Sequence, residues 1–318
     1  MSLRETLRAA GLGKLAYQLW HRPVNRLRDI RAAGGPFVMR RTEEGRREME
    51  RAALDLPVPA PATGEPLELH LLTGRRFWYQ TAFCLWSFAH QTGRRLAPVI
   101  YDDGSLAEEF RAPLHRLFPG IVFVPQAEIV ARLDDHLPAA KFPVLRERWT
   151  NYPNIRKLTD VHAGRAGWKL VLDSDLLFFA CPHLLVAWLD RPAGPLHAID
   201  CETSYGYSRP LMNQLAGAPV AELVNVGLTG LNGGEIDWER LEHWTSALTA
   251  REGTSYYLEQ ALIAMLVAGR RCTVASRADY VTLPEPPEAL ACAAVMHHYV
   301  AHSKRWYFQH CWREALKR

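Results

Sequence analysis

The chain has 318 residues and a mass of 36.0 kDa, with 48% hydrophobic and 23% charged residues. A chain of this size can bury about three quarters of its extended surface in a core. Its ordinary glycine and proline contents exclude collagen-like, low-complexity and coiled-coil proteins. The six cysteines form no Cys-x-x-Cys pair, which excludes a zinc ribbon and favours a reducing compartment. No segment resembles a signal peptide or has the ~18 apolar residues of a membrane span, so we expect a cytoplasmic protein.

Positive charge is concentrated near the N-terminus. The net charge is +4, yet residues 1–51 hold twelve Lys or Arg against six Asp or Glu. An apolar stripe at helical spacing over residues 3–19 indicates a basic amphipathic helix. Such a helix favours peripheral contact with an anionic membrane, and the alternative is a solvated helix packed on the main domain. A proline-rich stretch over residues 56–61 is typical of a stiff linker. We therefore predict a helical arm and linker over residues 1–62 and one larger domain over residues 63–318; the oligomeric state stays open.

Strand and helix patterns alternate from residue 67 onward. Residues 67–72 alternate as a strand does, residues 77–92 have the periodicity of a helix that ends before Gly93, and residues 99–101 and 121–124 predict further strands. This order indicates an α/β fold with a mostly parallel mixed sheet flanked by helices. Ligands of such sheets bind beyond the carboxyl ends of the strands. Functional side chains are therefore expected directly after the strands.

Two carboxylates lie between apolar runs in Val171-Leu172-Asp173-Ser174-Asp175-Leu176. Unpaired charges would be costly in a buried strand, whereas side chains two residues apart in an extended chain can share one divalent cation. The alternative is a solvated turn between two strands. The segment resembles the Asp-x-Asp motif of nucleotide-sugar glycosyltransferases with the Rossmann-like GT-A fold. That resemblance implies that Asp173 and Asp175 hold Mn²⁺ or Mg²⁺ against the donor diphosphate, with Ser174 beside the donor.

Three further segments resemble, in order, the retaining enzymes of glycosyltransferase family 8. Arg156 precedes Asp173 at the distance where the family directs an arginine toward the donor. Val224-Asn225-Val226-Gly227 is similar to the family's Phe-Asn-Ser-Gly strand, with valine in place of serine. Glu259-Gln260 stands where the family has Asp-Gln at the start of a helix, although Glu259 alone is also a favourable acid for a first helical turn. The resemblance implies catalytic roles for Asn225, Glu259 and Gln260, the last two at the β-face of the transferred sugar.

The segment from His298 to Trp306 is similar to the family's His-Phe-x-Gly-x-x-Lys-Pro-Trp motif. It implies that His298 is the third metal ligand and that Lys304 contacts the diphosphate; two carboxylates and one imidazole suit Mn²⁺. The spacing to Lys304 favours His298 over its neighbour His297. Ala301 and Arg305 replace the usual glycine and proline, so the backbone near the diphosphate is expected to differ.

Residues after the first two strands are candidates for binding the nucleoside base and ribose. Thr73 and Gly74 follow the first strand, and Tyr101, Asp102 and Asp103 follow the second. The turn from Tyr101 to Ser105 is closer to the Val-Asp-Asp-Gly-Ser turn of the inverting family 2 than to family 8. Asn225 and Asp200 are expected at the ends of later strands, and each is a candidate for sugar contact or for capping. Four aromatic residues are candidates for stacking on an acceptor or for packing in a lid: Trp149, Tyr152, Tyr205 and Tyr207.

The resemblance predicts a metal-dependent transferase that moves a hexose from a UDP-sugar to an unidentified acceptor with retention. Because Gln260 is a poor nucleophile, we favour attack from the front face, assisted by the leaving phosphate. A sugar nucleotidyltransferase is an alternative, although Thr73-Gly74-Arg75-Arg76 has one glycine where such enzymes have a glycine-rich loop. A non-catalytic sugar-nucleotide-binding protein is another. No nucleic-acid partner is expected, because the main domain is slightly acidic.

Overall fold

The computed structural model describes residues 34–60 and 64–318, so the helix predicted over residues 3–19 lies outside the described part. The first described helix, α1 (Pro36–Leu54), begins directly after two glycines, Gly34 and Gly35. Gly35 precedes it at φ 106°, a backbone conformation that favours glycine, and Pro36 occupies the first turn, where a missing N–H costs nothing.

The remaining elements alternate as the sequence predicts. The strands are β1 (Leu67–Thr73), β2 (Leu96–Asp102), β3 (Val122–Val124), β4 (Trp168–Leu172), β5 (Leu176–Phe178), β6 (Leu196–Ile199), β7 (Val224–Asn232), β8 (Thr273–Ala275), β9 (Tyr280–Thr282) and β10 (Met296–His298). The helices are α2 (Trp78–Thr92), α3 (Glu108–Leu117), α4 (Gln126–His136), α5 (Pro143–Asn151), α6 (Arg156–His162), α7 (His183–Asp190), α8 (Arg209–Ala216), α9 (Trp238–Glu252), α10 (Leu258–Leu266) and α11 (Pro286–Ala291). The chain ends in α12 (Lys304–Trp306), a π-helical turn (Tyr307–Cys311) and α13 (Trp312–Lys317).

Seven strands form the central sheet in the order β3-β2-β1-β4-β7-β6-β8. β7 runs antiparallel to its neighbours β4 and β6, and the other paired strands are parallel. The start of β7 therefore lies at the same edge as the carboxyl ends of the other strands. This arrangement confirms the predicted mostly parallel mixed sheet.

A second, three-stranded sheet carries the histidine segment. β10 pairs antiparallel with β5 and parallel with β9, and its register places His298 opposite Leu176 and Thr282. Because β5 follows β4 after only three residues, the Asp173-Ser174-Asp175 turn passes from one sheet to the other. The second sheet thus places His298 beside the carboxylates of Asp173 and Asp175.

Helices cover both faces of the central sheet, each over its own apolar cluster. Phe83 of α2 and Phe178 of β5 are fully buried on one face, and Leu158 of α6 and Leu262 of α10 are buried on the other. Full burial of one such side chain contributes about 1.5–3 kcal/mol. Among the described residues, none of the helices combines the length and the apolar character needed to cross a membrane.

The described part of the predicted arm packs on the domain. Met49 and Ala53 of α1 are fully buried in the same cluster as Phe83. A Cβ atom at Gly45 would lie 2.1 Å from the Phe308 carbonyl oxygen, so α1 touches the backbone of the π-helical turn directly. Residues 36–54 therefore pack on the main domain, whereas the helix predicted over residues 3–19 lies outside the described residues.

Candidate active site

The two carboxylates and the histidine predicted as metal ligands meet at the carboxyl edge of the central sheet. Asp173, Asp175 and His298 offer ligand atoms that all lie within 4.8 Å of one another. His298 Nε2 is 3.6 Å from Asp173 Oδ2 and 3.3 Å from Asp175 Oδ1. We call these three residues the carboxylate–histidine triad.

Backbone bonds on both sides fix the turn that carries the carboxylates. The Asp173 amide donates to the Gly227 carbonyl at 2.8 Å, and the Asp175 carbonyl accepts from the Tyr299 amide at 3.1 Å. A Cβ atom at Gly227 would lie 2.2 Å from His298 Cε1. A glycine at position 227 is therefore what leaves room for the imidazole.

Strand alternation decides between the two neighbouring histidines. The His298 side chain faces Asp173 and Asp175, whereas His297 Nδ1 lies 3.0 Å from the Tyr299 hydroxyl in the interior. Burial lowers the pKa of His297 to about 4, so it is neutral in the folded protein. Both nitrogens of the His298 ring are buried without a hydrogen-bond partner among the described residues. His298 is thus the histidine with a free ligand atom at the site.

A lysine pairs with each carboxylate of the triad. Lys157 Nζ lies 2.7 Å from Asp173 Oδ1 and 3.9 Å from Glu259 Oε1, and Lys304 Nζ lies 2.8 Å from Asp175 Oδ2. Burial opposes ionisation of both lysines, but the neighbouring carboxylates outweigh it and raise the pKa of each amine. Burial likewise opposes ionisation of Asp175, yet Lys304 and His298 hold its pKa below the usual value. Lys157, Lys304 and Asp175 are therefore stabilised in their charged forms.

Two cavities of about 400 Å³ each flank the triad. The donor-side cavity reaches from Asp175 and Lys304 to the ends of β1 and β2, and the inner cavity reaches toward β6, β7 and α10. Both cavities are lined by Asn154, Lys157, Asp173, Tyr256, His298, Val300 and Ala301. A ligand long enough to fill both cavities would pass directly over the triad.

The three residues predicted as catalytic line the inner cavity. Gln260 Nε2 donates to Asp200 Oδ2 at 2.6 Å and to the Val224 carbonyl at 3.0 Å, and Asn225 Oδ1 accepts from the Gly227 amide at 2.9 Å. Burial, reinforced by Asp173, raises the pKa of Glu259 to about 7 against the opposing effect of Lys157. The Glu259 Oε1 atom is buried without a hydrogen-bond partner among the described residues.

The residues predicted to bind the nucleoside fall into two groups. Thr73 and Asp103 line the donor-side cavity, and a Cβ atom at Gly74 would lie 2.1 Å from Asp103 Oδ1, so this glycine leaves room for the carboxylate. Tyr101 and Asp102 do not line either cavity. The Tyr101 ring is buried beside Nδ1 of His70, and Asp102 caps the Gly104 amide and pairs with Arg111 at 2.7 Å.

Arg156 and Ser174 also line the donor-side cavity. The Arg156 guanidinium lies 4.6 Å from the centre of the Trp149 ring, whose Nε1 donates to Asp160 Oδ1 at 2.7 Å. None of the four aromatic candidates for acceptor stacking lines either cavity. Tyr205 and Tyr207 are buried, and the Tyr152 hydroxyl accepts from the Glu259 amide at 3.2 Å, so these side chains pack and position the site.

Sequence reasoning missed Lys157, Asn154 and Tyr256, which all line both cavities. Lys157 follows Arg156 directly, so the helix turns it toward Asp173 while Arg156 turns toward Trp149. A buried strand-end aspartate needs a cation, and this signal was available once Asp173 had been singled out. No comparable signal in the sequence marks Asn154 or Tyr256.

The fold is similar to that of solved glycosyltransferases. The galactosyltransferase LgtC, in complex with donor and acceptor sugar analogues, matches with a TM-score of 0.51 and 16% identity over 79% of this chain and 95% of that chain. The bifunctional glycosyltransferase WbbM, in its apo structure, matches with a TM-score of 0.50 and 12% identity over 82% of this chain and 53% of that chain. Neither a protein-family model nor a curated protein matches the sequence. The chain has the GT-A fold of nucleotide-sugar glycosyltransferases, as its motifs predict.

Proposed function

We propose that the protein is a metal-dependent glycosyltransferase that transfers a hexose from a UDP-sugar to an acceptor with retention. The single observation that carries the proposal is the carboxylate–histidine triad, which stands between two cavities and beside Lys304 at the carboxyl edge of a GT-A sheet. Open α/β sheets bind their ligands at this edge.

The triad fits a divalent cation. Metal–ligand bonds of about 2.1 Å at right angles place neighbouring ligand atoms about 3 Å apart, and His298 Nε2 lies 3.3 and 3.6 Å from the two carboxylate oxygens. Both ring nitrogens of His298 lack a hydrogen-bond partner among the described residues. Oxygen and imidazole ligands together favour Mn²⁺, and Mg²⁺ is the alternative. When bound, the cation would neutralise negative charge that develops on the leaving diphosphate.

The donor-side cavity suits the nucleotide. Lys304 and Arg156 would hold the diphosphate, with Ser174 beside it, while Thr73 and Asp103 would contact the nucleoside. Gly74 leaves room for the Asp103 carboxylate, and Tyr101 and Asp102 hold the shape of the β2 end. A lysine and an arginine that are already oriented stabilise a departing phosphate with little reorganisation.

The inner cavity suits the transferred sugar. Glu259 and Asn225 present polar groups to it, and Gln260 is held in place by two hydrogen bonds. An amide fixed in this way positions a sugar and is a poor nucleophile. We therefore assign retention to attack on the face from which the diphosphate leaves.

The proposal is tested by incubating the full chain with UDP-glucose, UDP-galactose and UDP-N-acetylglucosamine and measuring UDP release. We expect release from at least one donor with Mn²⁺ and its loss when EDTA is added. Equal turnover with and without chelator would overturn the metal site. Pyrophosphate formation from a nucleoside triphosphate and a sugar phosphate would instead identify a nucleotidyltransferase.

A further inference from the structure

The inner cavity differs in charge from the donor-side cavity. Both share the pair between Lys157 and Asp173. Beyond this pair, the described lining of the inner cavity carries the carboxyls of Asp200, Glu202 and Glu259 and has no further lysine or arginine. Apart from Lys157, which is already paired with Asp173, an anionic ligand would meet carboxyls there. Like charges within a few ångströms repel strongly at a partly buried site.

Besides the two His298 ring nitrogens, two polar atoms that line this cavity lack a hydrogen-bond partner among the described residues. Glu259 Oε1 and Thr282 Oγ1 are buried without a hydrogen bond, and both side chains are 3% exposed. Buried polar groups of native proteins are normally paired. Hydroxyl groups of a ligand, which donate and accept, would satisfy both atoms.

The rim of the inner cavity is aromatic. Tyr256 is 72% exposed and Tyr257 is 41% exposed, and both line the cavity together with Glu202 and Ser204. Exposed tyrosines provide an apolar face and a polar edge, which suits a sugar ring. The volume of about 400 Å³ exceeds what one hexose fills, so a second ring fits beside the sugar next to Glu259 and Gln260.

We propose that the Glu202 side of the inner cavity binds an acceptor sugar that carries no negative charge, and that Glu202 favours an amino substituent on it. This inference rests on the proposed transferase function. It adds that phosphorylated and carboxylated sugars are excluded as acceptors, because the described lining of this cavity offers no lysine or arginine beyond Lys157, which Asp173 already pairs.

The test uses the full chain with Mn²⁺ and whichever of the three UDP-sugars it hydrolyses. The acceptor probes are methyl glycosides of galactose, galactosamine and galacturonic acid, and the same three forms of the gluco series. We expect the neutral and amino sugars to accelerate UDP release, with the lowest KM for the amino sugar, and the uronic acid to have no effect. Glu202→Lys should raise the KM for the amino sugar about tenfold and allow the uronic acid to act as acceptor.

Glu65→Lys is the matched control, because Glu65 is exposed and precedes β1 at the opposite end of the strand from the site. Its KM values should equal those of the unaltered protein. Acceleration by the uronic acid equal to that by the neutral sugar would overturn the inference. So would a failure of both neutral and amino sugars to accelerate Mn²⁺-dependent UDP release. Absence of UDP release from any donor would instead count against the proposed function itself.

Discussion

The donor-side and inner cavities share Asp173 and His298 of the triad but are otherwise built differently. The donor-side cavity is formed by the ends of β1 and β4 and by α12, and Arg156 and Lys304 line it at the position proposed for the diphosphate. The inner cavity is formed by β6, β7 and α10. Its lining contains carboxyls and buried polar atoms that have no hydrogen-bond partner among the described residues. One edge of a sheet can therefore hold a leaving anion on one side and hydroxyl groups on the other. If this division is correct, substitutions on the two sides will separate nucleotide binding from transfer.

The largest effect is expected for Asp175→Ala. Asp175 belongs to the triad, and it lines the donor-side cavity but not the inner cavity. Loss of a metal ligand should lower turnover about 1000-fold, or ~4 kcal/mol, and weaken Mn²⁺-dependent UDP binding in parallel. UDP release and calorimetric titration with UDP and Mn²⁺ measure the two effects. Asp190→Ala, which removes an exposed aspartate paired with Arg94, is the control and should leave both unchanged.

The stability of the fold should depend on pH through Asp160. Its carboxylate accepts a hydrogen bond from the Trp149 ring, and the Arg156 guanidinium lies against the face of that ring. Burial raises the pKa of Asp160 from 3.8 to about 6, although hydrogen bonds from Trp149 and Thr159 oppose the shift. The folded state therefore holds this proton more tightly, and its stability falls as pH rises from about 4 to 6. Above pH 6, ionisation of the buried Asp160 should lower the stability of the fold by about 3 kcal/mol relative to pH values below 4.

Asp160→Asn keeps the acceptor oxygen and removes the charge. Urea unfolding should show a more stable variant at pH 8 and little difference near pH 4. A variant that is less stable than the unaltered protein at pH 8 would contradict the assignment of a costly buried carboxylate.

On the inner side, Glu259→Gln should lower the rate of transfer about 10- to 100-fold. It should leave UDP affinity unchanged, because Glu259 lines the inner cavity and not the donor-side cavity. The substitution keeps the shape of the side chain and removes its charge. Steady-state UDP release gives the first quantity, and calorimetric titration with UDP and Mn²⁺ gives the second. A parallel loss of UDP affinity would show that the two cavities are not separable.

The smallest effect concerns Ala301, which lines both cavities at φ 46°. A left-handed conformation costs a residue with a Cβ atom about 1 kcal/mol relative to glycine, so Ala301→Gly should stabilise the fold by about that amount. Ala291→Gly at the end of α11 is a control with the opposite sign. Thermal unfolding of the two variants measures the difference.

Local sequence patterns predicted the positions of the strands and helices well. β1 ends at Thr73 and α2 ends before Gly93, which has φ 60°, as the alternation and the helix-stop glycine indicate. The triad was predicted because three residue types recur at motif spacing. Ala301, which stands where the family motif has glycine, has a left-handed backbone conformation of the kind that favours glycine.

Contacts between distant segments were harder to predict. The sequence does not reveal that Asp102 turns back to cap its own loop while Asp103 faces the donor-side cavity. Nor does it reveal which of Arg156 and Lys157 faces Asp173, since this depends on the rotation of α6 against β4. Strand order and helix rotation are tertiary properties, and they decide which member of a polar pair enters the site.

The π-helical turn over Tyr307–Cys311 lies between Lys304 and the last helix of the chain. Such a turn corresponds to one residue inserted into an α-helix, and each α-helical residue accounts for a rotation of about 100°. The register of the last helix, anchored by Trp312 in the core, is thereby offset from that of the lysine that reaches Asp175. An insertion or deletion in this short segment would therefore rotate Lys304 relative to the helix that Trp312 anchors.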